Sequence, residues 1–141
     1  MRDIAQYFDI IESVVTHSGV EDAEVTYTRF SRMRGMVEGV LYLANGSRLE
    51  LSELVYIVNR RPVKEFYRYQ YIRAGEAVFR YDNAAHHPDL LNFPHHKHVG
   101  RKKLPATEPT LTQVLEEVIA VLREAADAPP SVPKRRRQSK R

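Results

Sequence analysis

The sequence predicts an α+β domain in which a five-stranded antiparallel meander carries an N-terminal and a C-terminal helix packed on one face. Three observations carry this expectation. Apolar and polar residues alternate from Ala23 to Asp82. The breaks within that stretch are too short for anything but antiparallel neighbours. Amphipathic segments of helical period flank it on both sides. At 141 residues the chain fits a single domain, expected over residues 1–127, with residues 128–141 forming a basic tail of disordered composition.

The first helix is expected over 4–16, where Ile4, Tyr7, Phe8, Ile11, Val14 and Val15 recur at three- and four-residue spacing. Asp3 with Gln6 forms a capping pair, and Gly19 is a stop. Residues 23–32 and 36–44 read as strands meeting at Arg34-Gly35. A third strand covers 47–58, after Asn45-Gly46, a pair suited to a two-residue type I′ turn. The fourth runs over 63–73 and Ala74-Gly75 turns it into a fifth at 77–82. Within the fourth strand Tyr67, Tyr69 and Tyr71 share one face, and Phe66, Arg68, Gln70 and Ile72 share the other; either face suits a covering helix. Residues 83–109 show no periodic element and read as a long loop, a length that points to function when it occurs in a compact domain. The closing helix spans 110–126, with Thr110 as cap, Gln113 three positions later, and an apolar stripe from Leu111 to Leu122. Ala128-Pro129-Pro130 ends it.

Charge is distributed unevenly. The formal net charge of +4 conceals a body of opposite sign, because 134–141 (KRRRQSKR) carries six bases and no acid. Residues 1–57 hold five bases against nine acids, 58–103 ten against four, and 104–133 one against five. Five of the six histidines also lie in 58–103. One basic, His-rich stretch and a basic tail point to a phosphate-bearing partner met at one face. There is no cysteine, which excludes disulfides, thiolate metal sites and a cysteine nucleophile. No apolar run approaches the roughly 18–20 residues that span a bilayer, and the stretch from Met1-Arg2-Asp3-Ile4 lacks the apolar run expected of a secretory signal. The expected location is the cytoplasm, with no membrane partner. No phosphate-cradling glycine loop, dinucleotide fingerprint or serine-nucleophile motif is present, so ATP-dependent chemistry and serine hydrolysis have no support.

The chemistry concentrates in residues 80–98, RYDNAAHHPDLLNFPHHKH. Imidazoles titrate near neutrality, so several together supply both a general base and a general acid. His86, His87, His95, His96 and His98 are the proton-transfer candidates, with Arg80 and Lys97 to stabilise charge on phosphorus. Tyr81 and Tyr69 would position or stack on substrate, and Arg73, Arg101, Lys102 and Lys103 would extend a phosphate track. Three readings stand side by side. The cluster cleaves RNA without a metal or other cofactor; or His96, His98 and Asp82 bind zinc or another divalent metal; or the histidines are structural, in which case the basic strip serves a non-catalytic nucleic-acid- or protein-binding module.

The string FRYDNAAHHPDLLNFPHHKHVG, residues 79–100, resembles the signature segment of the TumE-type toxins of prokaryotic toxin–antitoxin modules. The resemblance extends more loosely to EFYRYQYI (65–72) and to the helix beginning TLTQVLEEV, and so covers most of residues 1–126. Ala85 stands where the motif often has proline, and KRRRQSKR lies outside it. The resemblance implies a growth-slowing toxin neutralised by a cognate antitoxin, usually a helix-turn-helix protein. It carries no residue-by-residue catalytic assignment; endoribonuclease activity is inferred from the His/Arg/Tyr cluster itself.

Overall fold

Alternating apolar residues bury one face of a strand, and short turns bring each strand against the previous one. In the computed structural model, which describes residues 1–84 and 93–127, this produces one sheet in chain order. Helix α1 (Ile4–Thr16) precedes β1 (Asp22–Arg29), β2 (Arg34–Tyr42), β3 (Arg48–Val58), β4 (Arg61–Arg73), β5 (Glu76–Asp82), β6 (His96–Val99) and β7 (Lys102–Pro105), and α2 (Leu111–Asp127) follows. All neighbouring strands are antiparallel. The α+β class and meander hold, but the sheet has seven strands instead of the expected five. The two additional strands form a hairpin inside the region read as a loop. HKHV and KKLP are four residues each and carry no apolar alternation, so periodicity is blind to them. Their order comes from backbone pairing on the edge of β5 and from Gly100, whose φ of 58° admits the tight turn between them.

The turns correct two further expectations. Asn45-Gly46 does not make a two-residue type I′ turn: Leu43 N–H donates to Ser47 O (2.9 Å), leaving a three-residue loop in which only Gly46 has positive φ. That is the geometry of a type I turn followed by a left-handed bulge residue. Positive φ at both central positions occurs instead at Asn59-Arg60 (50° and 62°), between Val58 and Arg61, and at Ala74-Gly75 (51° and 76°). The first hairpin turns at residues 30–33, closed by Phe30 N–H to Arg34 O at 3.0 Å, and not at Arg34-Gly35. Gly35 lies within β2 for a packing reason, since a Cβ there would sit 2.5 Å from Phe8 Cζ and 2.8 Å from Ile4 Cγ1. It lets α1 approach the sheet.

Both helices cover one face. Their caps form as the sequence expects: Gln6 N–H donates to Asp3 Oδ1 at 2.9 Å, and Thr110 and Gln113 exchange reciprocal bonds of 2.9 and 3.2 Å. Ile4, Tyr7, Ile11 and Val15 of α1 join Leu111, Val114, Leu115 and Val118 of α2 over Val37, Leu41, Leu49, Leu51, Val55, Tyr67, Tyr69, Tyr71 and Phe79. The tyrosine face of β4 is therefore the covered one, all three rings being fully buried. Gly39, between Val37 and Leu41, meets the β1 backbone so closely that an added Cβ would fall 2.5 Å from Glu24 O. Backbone cannot yield as a side-chain tip can. Gly39→Ala is expected to destabilise the fold by about 1–3 kcal/mol, read as a lower urea midpoint.

Candidate functional site

Strand alternation divides the His-rich segment between the two faces of the sheet. The β5–β6 register pairs Arg80 with His98, Tyr81 with Lys97, and Asp82 with His96. Because the side-chain period is two, Arg80, Asp82, His96 and His98 project from the face opposite the helices, whereas Tyr81 and Lys97 project beneath α2.

The open-face group is tightly interlocked. Asp82 is buried and receives Arg80 Nε at 2.8 Å on Oδ2, while His96 Nε2 lies 2.7 Å from Oδ1 and His98 Nε2 lies 3.5 Å from Oδ2. His96 Nδ1 is 2.9 Å from the Pro94 carbonyl, which can only accept, so that nitrogen carries a proton. Arg80 Nη2 is 3.0 Å from His98 Nε2; guanidinium can only donate, so His98 Nε2 is the accepting nitrogen of a neutral ring. Burial, reinforced by the Arg80 charge, lowers the His98 pKa, against which Asp82 pulls in the other direction. The two imidazoles meet edge to face, centroids 4.8 Å apart. Accessibility differs within the group: the side chains of Arg80 and His98 are 32% and 16% exposed, that of His96 only 2%. One ligand-type atom from each of Asp82, His96 and His98 lies within 4.8 Å of the others, a spacing a metal ion can bridge.

The covered face holds a different set. Lys97 Nζ is 2.6 Å from Glu117 Oε1, which also accepts from the Tyr81 hydroxyl at 3.0 Å. Burial alone would lower the Lys97 pKa, but Glu117 and Tyr81 outweigh it and the net shift is upward. Lys97 and Tyr81 line a pocket of about 380 Å³ with Thr107 and Gln113, on the far side of the sheet from His98. His95 Nδ1 lies 2.9 Å from the Tyr67 hydroxyl, and the two rings stack. Tyr69 is wholly buried, with its hydroxyl donating to Glu53, so it does not reach a surface-bound substrate. Arg73 ends β4 at the Ala74-Gly75 turn, about 20 Å of strand from Asp82. Arg101, Lys102 and Lys103 are exposed on the β6–β7 hairpin, Lys103 directly across from His98. His86 and His87, like the basic tail, lie outside the described residues.

A family model described as Toxin TumE matches residues 8–126. The chain belongs to the TumE toxin family. That membership identifies it as a toxin of a toxin–antitoxin module and implies an antitoxin partner. No curated protein and no solved structure matches it. Among the described residues of this TumE chain, no helix is long and apolar enough to cross a membrane.

Sequence reasoning missed the most deeply buried charged side chain among the described residues of this TumE protein. Glu53 is wholly buried and accepts hydrogen bonds from the hydroxyls of Tyr7 and Tyr69. Lys64 Nζ stands 3.7 Å from the Glu53 carboxylate and donates to Tyr69 Oη (2.6 Å) and Pro109 O (2.7 Å). Burial, then the Glu53 charge, raises the pKa values of Tyr7 and Tyr69, which keeps both phenols as donors. The signal for this group was available: Glu53 interrupts the apolar series Leu49, Leu51, Val55, Ile57 on the buried face of β3.

Proposed function

We propose that this TumE toxin acts as an endoribonuclease at the open face of β5 and β6, with Arg80 and His98 as the groups that meet RNA. The observation that carries this reading is the contact between a partly exposed guanidinium and a neutral imidazole. An incoming phosphate draws Arg80 into a bidentate contact, and the same movement exposes His98 Nε2 as a base. His98 then takes the ribose 2′-hydroxyl proton, the 2′-oxygen attacks phosphorus, and the bond to the 5′-oxygen breaks. The products are a 2′,3′-cyclic phosphate and a 5′-hydroxyl, the latter taking its proton from water. Arg80 offsets the charge that develops on the phosphoryl oxygens. His96 and Asp82 are positioning residues: the buried pair fixes the His98 ring and holds Arg80 near it until phosphate arrives. Lys97, Tyr81 and His95 are on the other face and take no part in this step. The helix-turn-helix character of the antitoxin and a cytoplasmic location belong to the same proposal.

A second reading has its own support. His96 anchors its Nδ1–H on a backbone carbonyl and turns Nε2 toward Asp82, as metal-bound histidines do. With His98 this makes two imidazoles and a carboxylate that fit zinc or a similar divalent ion, which would polarise a phosphoryl oxygen there. Arg80, 2.8 Å from Asp82, already supplies a cation at that carboxylate and favours the metal-free arrangement.

Incubation of the purified chain with RNA, with and without a chelator, decides between them. Cleavage is expected to persist in chelator and to leave cyclic phosphate ends. Loss of cleavage in chelator, restored by zinc or manganese, establishes the metal site instead, and intact RNA in every condition removes both.

A further inference from the structure

The β2–β4 register places an aromatic patch on the same open face as Arg80 and His98. Tyr56 pairs with Arg34 and Val63, and Leu54 pairs with Met36 and Phe66. One step further along β4, Arg68 stands between Ser52 and Asp82, and Asp82 pairs with His96. Successive rows are two residues apart, about 7 Å along the strands. From one end to the other the face therefore reads Tyr56, Phe66, Arg68, then Asp82 with Arg80 and His98 beside it.

Phe66 is 36% exposed, Tyr56 37% and Phe30 52%. A sheet face that serves only as a solvated exterior carries polar residues at such positions. Arginine accompanies these rings at each step: the Arg34 guanidinium lies 5.2 Å from the Phe30 centroid and 5.4 Å from that of Tyr56, and Arg68 is exposed in the next row beyond Phe66. Aromatic planes interleaved with guanidinium groups match a chain whose flat bases alternate with phosphates.

We propose that the open face binds single-stranded RNA, its bases stacking on Phe66 and Tyr56 and its phosphates meeting Arg68 and Arg34, so that the strand leads to Arg80 and His98. This rests on the ribonuclease reading for its direction and names the substrate as single-stranded. A duplex hides its bases' π-faces within its own stack and gains nothing from these rings. A protein segment would also cover apolar side chains, but the arginine at each aromatic step favours a polyanion.

The test separates binding from cleavage. A labelled 2′-O-methyl oligoribonucleotide of mixed sequence lacks the 2′-hydroxyl nucleophile, and its affinity for the full chain is read by fluorescence anisotropy. The single strand is expected to bind more tightly than its duplex. Phe66→Ala and Tyr56→Ala should each weaken binding about 10- to 100-fold, and Phe66→Tyr should retain it; circular dichroism confirms that each variant folds. Ring-dependent binding supports the track even if unmodified RNA remains intact, a result that would count against cleavage alone. Equal affinity of the double alanine variant and the parent overturns the proposal. So does a duplex bound as tightly as the single strand, or a patch that is covered by the antitoxin while the parent ignores the oligonucleotide.

Discussion

Glu53→Leu is expected to lower folding stability by about 3–5 kcal/mol, because it leaves the buried Lys64 ammonium without its carboxylate. The hydroxyls of Tyr7 and Tyr69 lose their acceptor in the same substitution, and each unsatisfied donor costs about 1–3 kcal/mol. These costs overlap within one network, so they do not add. Glu53→Gln preserves an acceptor oxygen and a similar shape, so a smaller loss is expected. The double variant Glu53→Leu/Lys64→Met should recover part of the single variant's deficit, since it removes the stranded charge as well as its partner. Urea unfolding of the three variants checks this ordering. A Glu53→Leu protein as stable as the parent would show that the network holds nothing together.

The second large effect concerns chemistry. His98→Ala is expected to reduce the RNA cleavage rate by about 100- to 10,000-fold, the range associated with a positioned general base, and to release growth arrest in cells that express the toxin. Urea midpoints of variant and parent should remain close by comparison with the Glu53 series, because His98 is partly exposed. The pH profile supplies an independent check. His98 acts as a base only when neutral, and burial followed by the Arg80 charge lowers its pKa below the ordinary 6.5. Activity should accordingly fall on the acid side of that value and remain level above it. Arg80→Ala removes a repelling positive charge, so His98 holds its proton to higher pH and the acid limb of the residual activity moves upward. An acid limb unmoved by Arg80→Ala, or a His98→Ala enzyme with full activity, would remove His98 from the mechanism.

The structure also changes what the histidine-rich segment means. Read linearly, RYDNAAHHPDLLNFPHHKH is a single reservoir of proton-transfer groups with Lys97 among them. Folded, adjacent residues have opposite destinations. His96 and His98 converge on Asp82, while Lys97 turns to Glu117 and His95 to Tyr67. No periodic signal marks β6, whose pairing with β5 creates this division.

Local rules sufficed for much of the chain. Helical spacing and N-terminal caps marked α1 and α2, alternation marked β1 to β5 apart from the place of the first turn, and the motif at 79–100 was enough to recognise the family. Those signals are carried by neighbours in sequence, and short-range sterics and hydrogen bonding enforce them wherever the segment lies. Which β4 face lies under the helices, the β6–β7 hairpin, the alliance of Glu53 with Lys64 and the separation of Lys97 from His98 were decided only when distant strands paired. Each depends on which backbone edge is available and which carboxylate stands across the sheet, quantities that exist only after the chain has closed on itself.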